Sequence, residues 1–174
     1  MPNNYDLLAS SNVTSAVNNI TFSSIDQNYT DLVLHISAIK LDITGTPNNA
    51  SYYVQVNGTT SGNLYSARVL RYNGSSVTGG SSGSQNSGEL TWSGDGITAT
   101  YGNGGYVTFL QYKNTSVKKL AVGGGGNAAQ SQGVDGTEAW QFNSTNAISE
   151  IKFYPQRGNF DVGTQLYLYG IKAA

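Results

Sequence analysis

Short runs in which apolar and polar residues alternate, each closed by turn residues, recur along the whole chain, and this period of two limits what it can fold into. Successive side chains of a strand point to opposite faces, so an alternating run has one face to bury and one to leave wet. The run 31–39 is the clearest: Leu32, Leu34, Ile36 and Ala38 fall on one side, Val33, His35, Ser37 and Ile39 on the other. Runs 148–154 and 164–171 alternate in the same way. Further strands are expected at 19–22, 52–56, 65–72, 89–92, 97–101, 106–112, 117–122 and 137–142. No segment carries a helical period. Composition agrees, because Ser, Thr, Asn and Gly make up 76 of the 174 residues and Tyr, at 12, outnumbers Phe and Trp. Such a mixture suits turns and pleated, half-buried surfaces.

About ten short strands at this spacing predict an all-β fold, a two-sheet sandwich that is jelly-roll-like, in a single domain spanning 1–174. A chain of this length buries roughly 70% of its unfolded surface, so one core can hold it without staples. Leu32, Leu34, Ile36, Val54, Val56, Ile151, Phe153, Leu166 and Leu168 are the expected core, joined by Tyr65 or Leu70 depending on register. The runs 52–56 and 65–72, with Asn57-Gly58 between them, look like a hairpin. Two stretches read as flexible loops, at about 75–88 and 123–133, because Ser and Gly offer little to pack.

Little catalytic chemistry is available. Cysteine is absent, which removes disulfides, thiolate ligands and a thiol nucleophile together. His35 is the one histidine and lies mid-strand, so neither a His-pair metal site nor a serine triad on an elbow is expected. The ten acidic residues fall mostly in or beside turns, and none shows calcium-loop spacing. The glycine run 123–126 is followed by no Lys-Ser/Thr pair and so is no phosphate cradle. The chain is therefore expected to be no enzyme and to need no cofactor or metal. A net charge of -1 gives no reason to seek nucleic acid or an anionic membrane. No apolar run approaches the ~20 residues of a membrane helix, and residues 1–13 lack the basic cluster and apolar core of a secretion signal. One candidate set remains: Trp92, Tyr101, Tyr106, Tyr112 and Trp140, whose rings suit either a subunit interface or stacking on sugars.

Several stretches carry a resemblance. Tyr5-Asp6-Leu7-Leu8-Ala9-Ser10, Ile20-Thr21-Phe22-Ser23-Ser24-Ile25 and Tyr29-Thr30-Asp31-Leu32-Val33-Leu34 resemble the opening of a family of tailed-bacteriophage virion structural proteins. Val56-Asn57-Gly58 followed by Leu64-Tyr65-Ser66 resembles its Asn-Gly hairpin, and residues 113–119 its connection between two central strands. Ala139-Trp140-Gln141 ahead of Ile148-Ser149-Glu150-Ile151, then residues 160–171, resemble its C-terminal half. Thr59 stands where the family has Asp, and Leu110-Gln111-Tyr112 replaces an Ile-Pro-Asn-Tyr-like stretch. The resemblance implies a virion component, most readily a capsid decoration or cement protein bound to the major capsid protein or another virion protein on the capsid surface. It also implies a homo-oligomer, with a trimer preferred because decoration proteins commonly occupy threefold positions. The alternative is a tail-fibre or spike domain that binds host-surface glycans.

Overall fold

The structure, a computed structural model, describes residues 4–42, 51–58, 65–73, 76–90, 103–127 and 134–172. The described residues form strands and no helix: β1 (Tyr5–Asn12), β2 (Ile20–Phe22), β3 (Asp31–Ala38), β4 (Leu41–Asp42), β5 (Tyr52–Val56), β6 (Tyr65–Asn73), β7 (Ser76–Gln85), β8 (Gly88–Leu90), β9 (Asn103–Leu110), β10 (Lys119–Asn127), β11 (Val134–Phe142), β12 (Ile151–Pro155), β13 (Asn159–Phe160) and β14 (Gln165–Ile171). Eight make one antiparallel sheet in the order β1-β14-β3-β9-β10-β11-β6-β7, and four make a second in the order β2-β12-β5-β8. A short pair, β13 with β4, stands apart from both.

The two sheets form a sandwich around one core. Leu32, Leu34 and Ile36 of β3, Val107 and Phe109 of β9, and Leu166 and Leu168 of β14 line the large sheet's inner face. Val54 and Val56 of β5 and Ile151 and Phe153 of β12 face them from the small sheet. All nine core residues expected from the alternation are buried. Phe153 stacks on Phe160 at 5.1 Å between centroids and meets Tyr52 at 5.7 Å, a packed aromatic group at one end of the core. Leu34 is fully buried. Leu34→Ala should therefore lower unfolding stability by about 2–5 kcal/mol in a denaturant titration; a loss below roughly 0.5 kcal/mol would mean that this face of β3 is not a packed one.

Four expectations need correction. Runs 52–56 and 65–72 are both strands but no hairpin, because β5 pairs with β12 and β8 in the small sheet while β6 pairs with β11 and β7 in the large one. The turn residue Asn57, at a positive φ of 55°, clamps a distant segment instead. Its Nδ2 donates to the Ala147 carbonyl at 2.8 Å, and its Oδ1 accepts from the backbone N–H groups of Ser149 and Glu150. The expected loop at 75–88 is largely strand β7, in register with β6 from Asn73↔Ser76 to Ala67↔Ser82 and shifted by one residue at Tyr65↔Gln85. Its backbone needs only a partner edge to complete its hydrogen bonds, and β6 supplies one whatever the side chains. The third correction falls on the loop expected at 123–133, whose first part is the second half of β10, paired on both sides with β9 and β11.

Glycine is required there by closeness rather than by flexibility. A Cβ on Gly123 would lie 2.8 Å from the Tyr106 carbonyl oxygen, and one on Gly126 would collide with the Asp135 carboxylate. Residues 128–133, and the strand expected at 97–101, lie outside the described residues. Finally, β1 is a strand that alternation did not reveal. A bulge between Leu7 and Ala9 shifts its register against β14 and breaks the period of two.

Candidate functional site

The large sheet has an outer face, and its residues can be read across the strands from the pairing register. One row runs Leu7, Tyr169, Val33, Thr108, Val122, Ala139 and Arg68. The next runs Ser10, Tyr167, His35, Tyr106, Gly124, Thr137 and Leu70. Arg68, at the far end, is the only side chain in the two rows that carries a formal charge at neutral pH. Tyr5, Leu7, Tyr106, Leu120 and Leu70 are between 39% and 56% exposed, so this face presents apolar and aromatic surface to solvent. The small sheet's outer face differs: Lys152 lies over the Tyr154 ring at 5.3 Å, Tyr154 meets Tyr53 at 5.4 Å, and Glu89 faces Arg71 at 3.9 Å. Burial, with Glu89 nearby as a lesser cause, pushes the Tyr53 hydroxyl above its usual pKa.

Strand β10 shows why the large face is unusual. Its inward positions are Lys119, Ala121 and Gly123, all buried, whereas Leu120 and Val122 point outward. An ordinary half-buried strand would have the opposite polarity. The Lys119 ammonium is accommodated by donating to the carbonyls of Asn114, of Val117 at 3.0 Å and of Thr145 at 3.0 Å. Burial lowers its pKa, since leaving water disfavours the charged form.

Across β9, β10, β11 and β6, toward one end of these strands, the outer face holds a shallow trough of about 310 Å³. Tyr106 and Tyr72 stand on opposite sides of it, Gly124 and Gly125 form part of its floor, and Asp135 and Thr137 add polar atoms. A Cβ at Gly124 would lie 3.3 Å from the Gly136 carbonyl oxygen and 3.7 Å from the Tyr106 ring, so any side chain there would fill the hollow.

The aromatic candidates separate accordingly. Tyr106 is 46% exposed and belongs to the trough. Tyr112 and Trp140 are core residues, which corrects their assignment as interface or sugar-stacking candidates. Tyr112 is fully buried, its hydroxyl donates to the Asp26 carbonyl, and burial raises its pKa. Trp140 is 2% exposed and donates from Nε1 to the Glu89 carbonyl at 3.1 Å. Trp92 and Tyr101 lie outside the described residues. Tyr72, Leu120 and Asp135 were missed. Their signal was the reversed polarity of β10, visible once the register of its neighbours is known.

His35 is exposed on the outer face, 6.3 Å from the Tyr167 ring, and no acid and serine converge on it among the residues and bonds described. The described residues hold no group of three or more His, Asp or Glu side chains fit to bind a metal ion. At the chain's two ends, Lys172 pairs with Asp6 at 2.6 Å and Tyr29 donates to the same carboxylate, holding Asp6 below the usual carboxylate pKa. Comparison with protein-family models, with curated proteins and with solved structures gives no significant match.

Proposed function

We propose that this chain is a structural component of a bacteriophage virion, a capsid decoration protein that adheres to the shell through the outer face of its large sheet. The observation that carries the reading is the reversed polarity of β10, which turns Leu120 and Val122 outward in the middle of an almost uncharged face. A face of this kind gains free energy when a partner removes it from water, at roughly 25 cal/mol per Å² of apolar surface. Its tyrosines suit contacts that are dry at the centre and wet at the rim. The resemblance of the motifs at 5–10, 20–25, 29–34, 139–141, 148–151 and 160–171 to phage virion proteins points to the partner, the major capsid protein or another shell component. Adhesion by many copies, with no reaction, is the mechanism in this reading.

Leu7→Glu and Tyr106→Glu test it, because both side chains are about half exposed and neither substitution disturbs the core. The pair should leave unfolding stability within about 0.5 kcal/mol of wild type and abolish co-sedimentation with empty capsids of the same virus. Full capsid binding by the double variant would refute the assignment of this face.

The trough favours a second reading, a tail-fibre or spike domain that holds a host-surface glycan between Tyr106 and Tyr72. Tyrosine faces with a nearby carboxylate acceptor suit a sugar ring and its hydroxyls. On a glycan array, wild type would then bind a discrete set of glycans and Gly124→Ala, which fills the hollow, would lose them. Absence of any wild-type signal would remove this reading.

A further inference from the structure

We propose that β7 joins a second copy of this chain, two β7 strands pairing antiparallel about a twofold axis so that the two large sheets become one. Strand β7 ends the sheet: β6 lies on one side, and among the described residues no strand lies on the other. A sheet edge exposes backbone donors and acceptors that another strand can complete, and natural edges are usually blunted by charge, proline, bulges or brevity. The other edges here are blunted. The opposite edge of the same sheet, β1, has its bulge at Leu7/Ala9 and the Asp6–Lys172 ion pair. The small sheet's edges, β2 and β8, are three residues each. By contrast β7 runs for ten residues, Ser76–Gln85, with no charge and no proline, and its one register shift against β6 lies beyond Ser82, leaving Ser76–Ser82 regular.

A second copy fits this edge better than an unrelated strand because the sequence is self-complementary in size and charge. In a twofold pairing centred on Gly80, Gly79 stands opposite Ser81 and Thr78 opposite Ser82, so no bulky or like-charged residues meet. Adjacent surface is available to bury. Val77 is 62% exposed and pairs in register with Tyr72, itself 41% exposed. On the inner side, a hollow of about 250 Å³ lies between Val69, Gly79, Gly80 and Glu89. The inference does not depend on the virion reading, since the contact needs no capsid. It replaces the trimer preference, because an isologous twofold contact closes at two copies.

The test is sedimentation equilibrium on the purified full chain. Wild type should have twice the 18.4 kDa chain mass. A Cβ at Gly80 would have nothing within 4 Å, so a longer side chain fits there. Gly80→Lys places two ammonium groups across the axis and should weaken association by roughly tenfold or more, and Gly80→Glu should do the same with carboxylates. Mixing the two variants should restore the dimer. A wild-type monomer at every concentration, a trimer, a dimer indifferent to both charges, or a mixture that stays monomeric would each overturn the proposal.

Discussion

Trp140→Ala is expected to remove about 3–5 kcal/mol of unfolding stability, among the largest effects available in this chain. The indole is 2% exposed and lies on β11 with a Cβ at Gly88 of β8 excluded by contact at 2.7 Å, so it fills the space where the small sheet's edge crosses the large sheet. Its Nε1 also donates to the Glu89 carbonyl at 3.1 Å, a hydrogen bond that joins the two layers. Truncation therefore opens a cavity and strands a carbonyl at one place. Trp140→Phe keeps most of the volume and loses only the hydrogen bond, and should cost about 1 kcal/mol. Denaturant midpoints at constant slope check both. Equal and small losses would place the indole outside the packed interface.

Lys119→Met should cost roughly 3 kcal/mol. Methionine matches the length of the lysine stem but donates nothing, so the carbonyls of Asn114, Val117 and Thr145 lose their shared partner. Those three groups belong to two connections, the turn after β9 and the segment after β11, and one ammonium holds them together. Relief from burying a charge opposes this loss, which is why the expected figure is below that of three full charge-assisted bonds. Lys119→Arg supplies a donor with a bulkier, planar head and should recover only part of the stability. A Lys119→Met variant as stable as wild type would show that water satisfies these carbonyls and that the ammonium is not what closes the two connections.

The strands of the core were legible because they obey the simplest rule. In β3, β12 and β14 one parity carries Leu32, Leu34 and Ile36, Ile151 and Phe153, or Leu166 and Leu168, and that parity is the one buried. What stayed hidden depends on neighbours. Nothing in the order Gly123-Gly124-Gly125-Gly126 says that strands press on it from both sides, yet the Tyr106 carbonyl leaves no room for a Cβ on Gly123, and one on Gly126 would have to displace the Asp135 carboxylate. Strand β7 packs few side chains and is held by its backbone, which composition does not report. Trp140 and Tyr112 were mistaken for surface candidates because an amphipathic ring reads the same whether its polar atom meets a carbonyl or water. Lys119 carried a signal that went unused: it shares the parity of Ala121 and Gly123, so a register that buries those two buries it as well.

The candidate face was half legible. Tyr106 follows from the sequence as an aromatic able to meet a partner, whereas Leu7, Tyr169, Val33 and Val122 become one surface only when five strands are laid in register. Alternation had already set Val33 on the side of its strand away from the core, but it gave no such placement for Leu7 or Val122. Their outward placement is what gives the adhesive reading its physical content.

The most direct measurement is an image reconstruction of the intact virus particle at a resolution that traces strands. The account predicts many symmetry-related copies on the capsid surface, each with the face carrying Leu7, Tyr106 and Leu120 turned toward the shell. Copies confined to the tail, or capsid-bound copies with that face turned to solvent, would contradict it.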